Sequence, residues 1–467
     1  MRQDSTKVGG KPGRCVGEGE AGGLRRLKEN AAGIDIGSQT HYVAVPPGRA
    51  TPSVRRFGCL TPDLHEMAKW LAGCGIKTVA MESTGVYWIP VAQVLEQYSL
   101  EIVLADATHV KNVPGRKTDV SDCQWIQELH SYGLLRGAFR PDRALQVLRT
   151  YWRHREGLVQ GCAQQIHLMH KALEQMNLQL HKVLSDVSGV SGMRIIRAIL
   201  DGGRDGETLA KLCDRKVQAS PETVAKSLTG DYRADHLFTL RQAVELYDIY
   251  QEKMAACDGE IQRQMATFAP KGDPKDLPPP RKGKKRGKRR KNQPHFDLRT
   301  EMYRMTGVDL TQIDAIDTLT AQTALCECGH DLKAFPSEKN FTSWMGLCPN
   351  NRITGGKVRR TRTRRVQNRL ADALRVAAQS LHHSRTALGA FYRRMKARLG
   401  PAKAITATAR KLACQIYRLL KYGQNYVDQG ERAYEQKYRE HLLRRVKRHA
   451  QQLGFDLVAV QTGEVVS

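Results

Sequence analysis

Long apolar runs, paired cysteines and acidic residues are all scarce in this sequence of 467 residues. No apolar run approaches the roughly 20 residues that a membrane-spanning helix needs, which argues against a membrane protein. The polar, Gly-rich N-terminus is unlike a secretory signal peptide. The eleven cysteines are scattered without CxxC pairs, so we expect reduced thiols. Cys326 and Cys328 form the closest pair, and we interpret them as core residues.

The shortage of acids leaves a strongly basic chain. Lys and Arg number 75 against 47 Asp and Glu, giving a net charge of +28 and a pI near 9.8. Such an excess favours a polyanionic partner, because each phosphate that a base neutralises releases counterions. The densest bases, Arg281 to Lys291, fall in a Pro- and Lys-rich linker and predict a solvated arm that grips nucleic acid. A nuclear-import signal would have a similar composition.

Between residues 31 and 142, apolar strand-like runs alternate with helical segments. Two strands separated by a Gly-marked turn are predicted at 31–45, further strands at 51–57, 77–82 and 101–106, and helices at 64–72 and 86–98. This alternation indicates an α/β domain with a largely parallel central sheet. Functional sites in such folds gather at the ends of the strands.

Four acids are placed to meet at that edge. Asp35 lies within the first strand and Glu82 ends a later one, while Asp119 and Asp122 share one face of a following helix. Carboxylates held close together repel unless a cation or proton lies between them, so the four residues suit a pair of Mg²⁺ or Mn²⁺ ions. Asp106 is a less favoured candidate for this metal site, because it lies in the loop after its strand. The helix pair alone could simply complement the helix dipole.

The middle of the chain is helical. The run from Leu145 to Lys182 predicts either a long antiparallel or coiled-coil pair or an ordinary helical core. A Gly-containing hairpin at Val187 to Gly192 could bind phosphate through backbone amides. A related pattern recurs at 313–317, but Ala315 and Asp317 stand there in place of glycine.

The C-terminal third carries a hydroxyl among bases. Thr354 precedes two glycines and an Arg-rich run, a setting that suits either a nucleophile that attacks phosphodiesters or a phosphate-binding turn. Two later helices, 403–422 and 434–452, are amphipathic and basic. The bases predicted to contact nucleic acid are Arg281, Lys282, Lys284, Lys285, Arg286, Lys357, Arg359, Arg360, Arg362, Arg364 and Arg365.

Five motifs together cover most of the chain. They are Gly33-Ile-Asp-Ile-Gly37, Met81-Glu-Ser-Thr-Gly85, Lys117-Thr-Asp-Val-Ser-Asp122, Gly346-Leu-Cys-Pro-Asn-Asn-Arg-Ile-Thr-Gly-Gly-Lys357 and Lys403-Ala-Ile-Thr-Ala-Thr-Ala409. On these motifs, the chain resembles transposases of the insertion-sequence one-ten family, the bridge-RNA-guided recombinases, and most closely the eleven-eleven subgroup.

The resemblance implies a fold and a domain order. A RuvC-like (ribonuclease-H-like) α/β domain would lead through a helical or coiled-coil connector and a basic linker to a mostly α-helical transposase domain. The expected divisions are a disordered tail at 1–30, the RuvC-like domain at 31–142, the connector at 143–270, the linker at 271–298, the transposase domain at 299–453 and a tail at 454–467.

The resemblance also implies an activity, the cutting and rejoining of DNA strands at the ends of an insertion element and at its target, guided by RNA. The acidic quartet of the family would correspond to Asp35, Glu82, Asp119 and Asp122. The family's catalytic serine would fall at position 354, where this chain has Thr; the β-methyl group stiffens the side chain and crowds in-line attack. Ser343 and Ser380 are the nearest possible substitutes.

The implied partners are donor DNA, target DNA, a guide RNA and further copies of the chain in a homotetramer, within the bacterial cytoplasm at the nucleoid. The tetramer would combine one protomer's acids with another's hydroxyl. Two alternatives stay open: a metal-dependent junction resolvase or nuclease without a covalent intermediate, and an inactive nucleic-acid-binding remnant of a transposase.

Overall fold

The computed structural model describes residues 26–82, 85–105, 119–135, 137–281, 292–423 and 429–458. The chain divides into two compact units, Met1–Arg140 and Pro141–Ser467. No helix within the described ranges is both long and apolar enough to cross a membrane. Most of the predicted N-terminal tail and of the C-terminal tail lies outside those ranges, and the finer domain divisions stay predictions.

The first unit is built on a five-stranded mixed sheet. Its strands, in chain order, are β1 (Ala31–Ile36), β2 (Thr40–Ala44), β3 (Val54–Gly58), β4 (Thr78–Glu82) and β5 (Glu101–Ala105). They lie in the order β3-β2-β1-β4-β5. The helices are α1 (Thr61–Gly73), α2 (Trp88–Gln97) and α3 (Asp119–Ser131).

The expectation of a largely parallel sheet is wrong for half of the sheet. Strands β1, β4 and β5 are parallel, whereas β2 is antiparallel to both β1 and β3. The connections at 37–39 and 45–53 explain the difference, because parallel neighbours need a crossover of a dozen or more residues. Such short links can only form hairpins.

The two faces of this sheet are covered by different helices. Side chains such as Ile34 and Met81 point into a core that contains Leu71 of α1 and Leu95 of α2. Alternation along β1 sends Gly33 to the opposite face, where α3 packs. One face of the sheet therefore packs against the hydrophobic core with α1 and α2, and the other face packs against α3, the helix that carries Asp119 and Asp122.

The second unit is mostly helical. It contains α4 (Arg143–Gln175), α5 (Leu180–Val183), α6 (Val190–Leu200), α7 (Gly206–Ala210), α8 (Pro221–Ser227), α9 (Ala234–Ala266), α10 (Leu298–Thr306), α11 (Thr318–Cys328), α12 (Glu338–Trp344), α13 (Arg369–Ser380), α14 (Ala387–Leu399), α15 (Pro401–Tyr422) and α16 (Gly430–Gln452). Three short 3₁₀ helices lie at Pro274–Asp276, Leu310–Gln312 and Leu381–His383. One hairpin joins β6 (Arg352–Thr354) and β7 (Lys357–Arg360).

Helices α4 and α9, each of 33 residues, form the long antiparallel pair that was one of the two predicted alternatives. Gln264 of α9 donates to the carbonyl of Ala144, near the start of α4. Towards the other end, Gln251 donates to the sulfur of Cys162. Between them the buried guanidinium of Arg155 pairs with Asp258, and such a pair specifies register because breaking it would leave a buried charge.

The Cys-Glu-Cys sequence lies at the end of α11, as a core element. Cys326 and Cys328 are fully buried, and burial raises the pKa of the Cys328 thiol to about 12. Arg149 donates to the carbonyl oxygens of Cys326 and Glu327 at 2.8 Å each, where a cation complements the helix dipole. The interpretation of Cys326 and Cys328 as core residues is confirmed.

Candidate functional site

The first two predicted acids are neighbours across two parallel strands. Ile34 of β1 is level with Met81 of β4, and Asp35 and Glu82 follow these residues directly. Adjacent strands lie about 5 Å apart, so the two half-buried carboxyl-bearing residues occupy equivalent positions at the same end of the sheet. Both lie on the face that α3 covers.

A glycine lets α3 approach this face closely. A Cβ atom at Gly33 would lie 2.3 Å from the amide nitrogen of Gln127 and 2.4 Å from the carbonyl oxygen of Cys123. Backbone atoms cannot yield to such a clash as a flexible side chain could, so any larger residue would push α3 away from β1. The contact brings the N-terminal half of α3 to the strand that carries Asp35.

Buried polar groups tie α3 to both acid-bearing strands. The Gln127 amide donates to the Ala31 carbonyl of β1 at 3.2 Å and to the Ser131 hydroxyl at 2.8 Å. The His130 ring shares a hydrogen bond of 2.9 Å with the hydroxyl of Thr78, at the start of β4. Burial lowers the pKa of His130 to about 4, so the imidazole is neutral at pH 7.

The electrostatics around Cys123 place a third acid nearby. This thiol is fully buried, and burial followed by the negative charges of Asp35 and Asp122 raises its pKa to about 12. The thiol donates to the Val120 carbonyl at 3.1 Å. One β1 acid and one α3 acid therefore act on the same sulfur, which stays protonated.

The fourth acid is located only by its backbone. Asp119 is the first residue of α3, one turn before Asp122, and its side chain is not among those described; Asp106 lies outside the described ranges. Within the described residues, no group of three or more His, Cys, Asp and Glu side chains is close enough to hold a metal. Asp35, Glu82 and Asp122, the described members of the predicted quartet, thus do not form such a group by themselves.

Thr354 lies on a tight hairpin in the second unit. It pairs with Lys357 across a two-residue turn whose glycines, Gly355 and Gly356, have φ of 54° and 72°. Two successive left-handed residues define a type I′ turn, which glycine adopts without strain. Thr354 is exposed there, so its hydroxyl is accessible.

The predicted basic contacts have different environments. Lys357, Arg359, Arg362 and Arg365 are exposed. Exposed Arg364 donates to the Ser343 carbonyl at 2.8 Å. The side chain of Arg360 is not described, and Lys282, Lys284, Lys285 and Arg286 lie outside the described ranges.

Arg281 differs from the other predicted contacts. It is half-buried and donates to Asp314 at 2.9 Å, so it anchors the start of the basic run. Its contact with nucleic acid stays a prediction.

The two Gly-hairpin patterns differ as their sequences suggested. In the first, the helix begins earlier than predicted, at Val190; a Cβ atom at Gly192 in its first turn would lie 2.0 Å from the Val187 carbonyl oxygen, so the entry into this helix needs its glycine. In the second copy Ala315 adopts φ of 65°, and Asp317 accepts from the Thr320 amide at 2.9 Å. The start of α11 is therefore already capped by a carboxylate, which would repel a phosphate.

Comparison with known proteins identifies the family. One family model, for DEDD transposases of IS110 and described as "Transposase", matches residues 32–178. A second, "Transposase IS116/IS110/IS902 family", matches residues 309–393. No curated protein matches the chain. The first match spans all four predicted acids and the second spans Thr354. The chain belongs to the IS110 family of transposases and is a DNA transposase.

Proposed function

We propose that this transposase cuts and rejoins DNA strands at its element's ends and at a target, guided by a structured RNA. The acids Asp35, Glu82, Asp119 and Asp122 would bind Mg²⁺ or Mn²⁺, and the hydroxyl of Thr354 would be the nucleophile. The observation that carries the proposal is the adjacency of Asp35 and Glu82 at the ends of two parallel strands, on the sheet face against which α3, the helix of Asp119 and Asp122, packs closely.

The sheet order supports a RuvC-like assignment of the first unit. Three antiparallel strands followed by two parallel ones, in the order β3-β2-β1-β4-β5, suit a ribonuclease-H-like domain. Acids at the ends of β1 and β4 and on a following helix are the arrangement expected of nucleases with that fold.

The donor set fits a hard divalent cation. Carboxylate oxygens are the ligands that Mg²⁺ and Mn²⁺ prefer, and the protonated Cys123 thiol does not compete as a soft ligand. When bound, such cations would stabilise the negative charge on the attacking and leaving oxygens. The protein's own contribution is to hold Asp35, Glu82 and the α3 acids in fixed positions.

Thr354 would conserve the energy of the bond that is cut. Its oxygen would bond to phosphorus, lose its proton to a base and displace a sugar oxygen, which leaves with a proton. The product is a phosphodiester between Thr354 and DNA, so a second sugar hydroxyl could reverse the exchange without another energy source. Lys357, which pairs with Thr354 across the hairpin, would stabilise the charge that develops on phosphate.

Guidance by RNA suits a strongly basic chain, because the protein would not need to recognise the DNA sequence itself. If pairing between RNA and DNA supplies specificity, the protein needs chiefly to hold backbones, a task for Lys and Arg. The proposal includes a homotetramer that joins acids and hydroxyl from different protomers, acting at the nucleoid in the bacterial cytoplasm. Two other functions compete with this proposal: a metal-dependent resolvase or nuclease without a covalent intermediate, and an inactive remnant of a transposase. The threonine at position 354, where the family has serine, favours the inactive remnant.

The acidic site is tested by removing one charge at a time. Asp119→Asn or Asp122→Asn should abolish strand cleavage and weaken Mn²⁺ binding, seen by electron paramagnetic resonance, while RNA binding stays intact. Glu128→Gln is the matched control, because Glu128 is an exposed acid farther along α3. Full cleavage by both Asn variants would overturn the metal-site assignment.

A further inference from the structure

A basic groove runs along α15 in the second unit. It encloses about 1470 Å³ between one face of α15 and the segment 349–363, which includes β7. We define it by the bases on its two walls: Arg359, Arg362, Lys403, Arg410, Lys411 and Arg418.

Local geometry explains why these bases converge. Lys403, Arg410 and Arg418 recur after seven and eight residues, or about two helical turns each, so they follow one face of α15 at intervals of about 10–12 Å. On the opposite wall the register shifts between Arg352 and Ile353. Such a bulge re-aims side chains, and both Val358 and Arg359 line the groove.

The charge in the groove is unevenly balanced. Glu338 is the one acid among the described residues that line it, and its carboxylate accepts from Arg418 at 2.8 and 3.1 Å. The end near Arg418 is therefore largely neutralised. Lys403 and Arg410 are more than a turn away along α15, so the Glu338 carboxylate does not pair with them.

The walls also carry apolar surface. Val358, Phe391 and Leu399 line the groove beside the bases, and the Val358 residue is 53% exposed. A duplex buries its base faces and would present sugars, phosphates and base edges to such a surface. A single strand presents both a phosphate backbone and apolar base faces, the combination that basic grooves with apolar platforms bind.

We infer that the basic groove binds a single-stranded segment of nucleic acid, with phosphates at Lys403 and Arg410 and base faces against Val358 and Phe391. Strand alternation places Val358 and its partner Ile353 on one hairpin face and Thr354 on the other. The groove therefore holds a strand behind the hairpin and does not itself act on phosphorus. Binding there needs neither metal nor hydroxyl, so although the inference deepens the proposed function, failed cleavage would leave it standing.

The test compares two double variants of the full-length protein in EDTA. Lys403→Gln/Arg410→Gln removes two charges from the groove. Arg215→Gln/Lys216→Gln removes two exposed charges elsewhere in the same unit. Binding of labelled 20-nucleotide oligo-dT, oligo-rU and a 20-base-pair DNA duplex is measured by fluorescence anisotropy across a salt series.

The groove variant should bind both single strands on the order of tenfold more weakly near 0.1 M salt. Its slope of log affinity against log salt should fall by about 1.4, or about 0.7 for each lost phosphate contact. Duplex binding should change less, and the control should keep the wild-type slope. A larger effect on oligo-dT assigns the groove to DNA, and a larger effect on oligo-rU assigns it to the guide RNA.

A third variant tests the apolar wall separately. Val358→Glu places a negative charge at an exposed hairpin position, where the fold should tolerate it, and should weaken single-strand binding as strongly as the double variant. Equal losses in the groove and control variants would overturn the inference. An equal loss on duplex and single strands would also overturn it, because the groove would then be a general backbone contact.

Discussion

Thr354 is exposed at the end of β6, where the two-glycine turn sets the direction of the backbone. Its β-methyl group limits the side chain to fewer rotamers than a serine would have. Since Thr354 pairs with Lys357 across the hairpin, the turn positions the Cα atom while χ1 decides where the hydroxyl points. The difference between threonine and serine therefore concerns orientation more than chemistry.

Thr354→Ser should accelerate formation of the covalent protein–DNA adduct about ten- to a hundredfold. This corresponds to roughly 1–3 kcal/mol of orientation cost removed with the methyl group. Thr354→Ala should form no adduct. The three proteins, with guide RNA and labelled donor DNA, are compared on denaturing gels.

The competing readings give different patterns in the same gels. A metal-only resolvase would cleave with any side chain at position 354 and leave no adduct. An inactive remnant would give no product from wild type, with rescue by serine. Ser343→Ala and Ser380→Ala are the controls for the substitute nucleophiles. Strong cleavage by Thr354→Ala would end the assignment of Thr354.

At the scale of elements, α3 decides whether the acids form one site. Asp35 and Glu82 are fixed by strand register, whereas the acids of α3 depend on how that helix docks on the sheet. Three features set the docking: the bare backbone at Gly33, the Gln127 amide bond to Ala31, and the His130 bond to Thr78. The last is sensitive to pH, because a buried imidazole is stable only when neutral.

The His130 contact predicts acid lability of this packing. The pKa is about 4 in the folded protein and near 6.5 in the unfolded chain, so the unfolded state binds more protons between these values. The contribution of neutral His130 to the free energy of unfolding should therefore be fully present above pH 6.5, and the free energy of unfolding should fall by about 3 kcal/mol as the pH drops towards 4. Urea unfolding of wild type and His130→Gln over this range measures the difference.

His130→Gln should lose less stability than wild type over that window, because glutamine does not titrate. Groups common to both proteins cancel in the comparison. His167→Gln, at an exposed position, should follow the wild-type curve. Parallel curves for wild type and His130→Gln would show that the ring is not held neutral by burial.

The sequence predicted where the elements lie better than how they are arranged. Apolar runs marked β1, β4 and β5 because buried strands need continuous apolar residues, and Asp35 and Glu82 stood out as charges within them. The prediction of a largely parallel sheet rested on the alternation of strands and helices and left out the short Gly-marked turn before β2, which makes that strand antiparallel to β1. Gln127 and His130 gave no signal, because a polar residue on a helix is usually solvated and only the docked structure shows it buried.

At the scale of the whole molecule, much of the excess positive charge behind the net +28 lies in two places. The basic groove lines α15, and residues 282–291 include eight Lys and Arg in ten positions. On the described residues that flank this run, Arg281 pairs with Asp314, and the Asn292 carbonyl accepts from Arg155 at 2.9 Å. Both ends of the basic run are thus attached to the second unit.

Neutralising the eight bases of 282–291 with glutamine should weaken binding to all nucleic acids, whatever their sequence. Contacts to phosphate carry no sequence information, so the loss should be uniform, and the salt slope should fall by roughly one unit for each contact removed. The measurement is fluorescence anisotropy across a salt series with unrelated DNA and RNA probes.

Combining this variant with Lys403→Gln/Arg410→Gln tests whether the basic run and the groove bind different phosphates, because independent sites add their effects. Additive losses would mean that run and groove bind different phosphates, whereas an unchanged slope in the run variant would show that it is not a phosphate clamp.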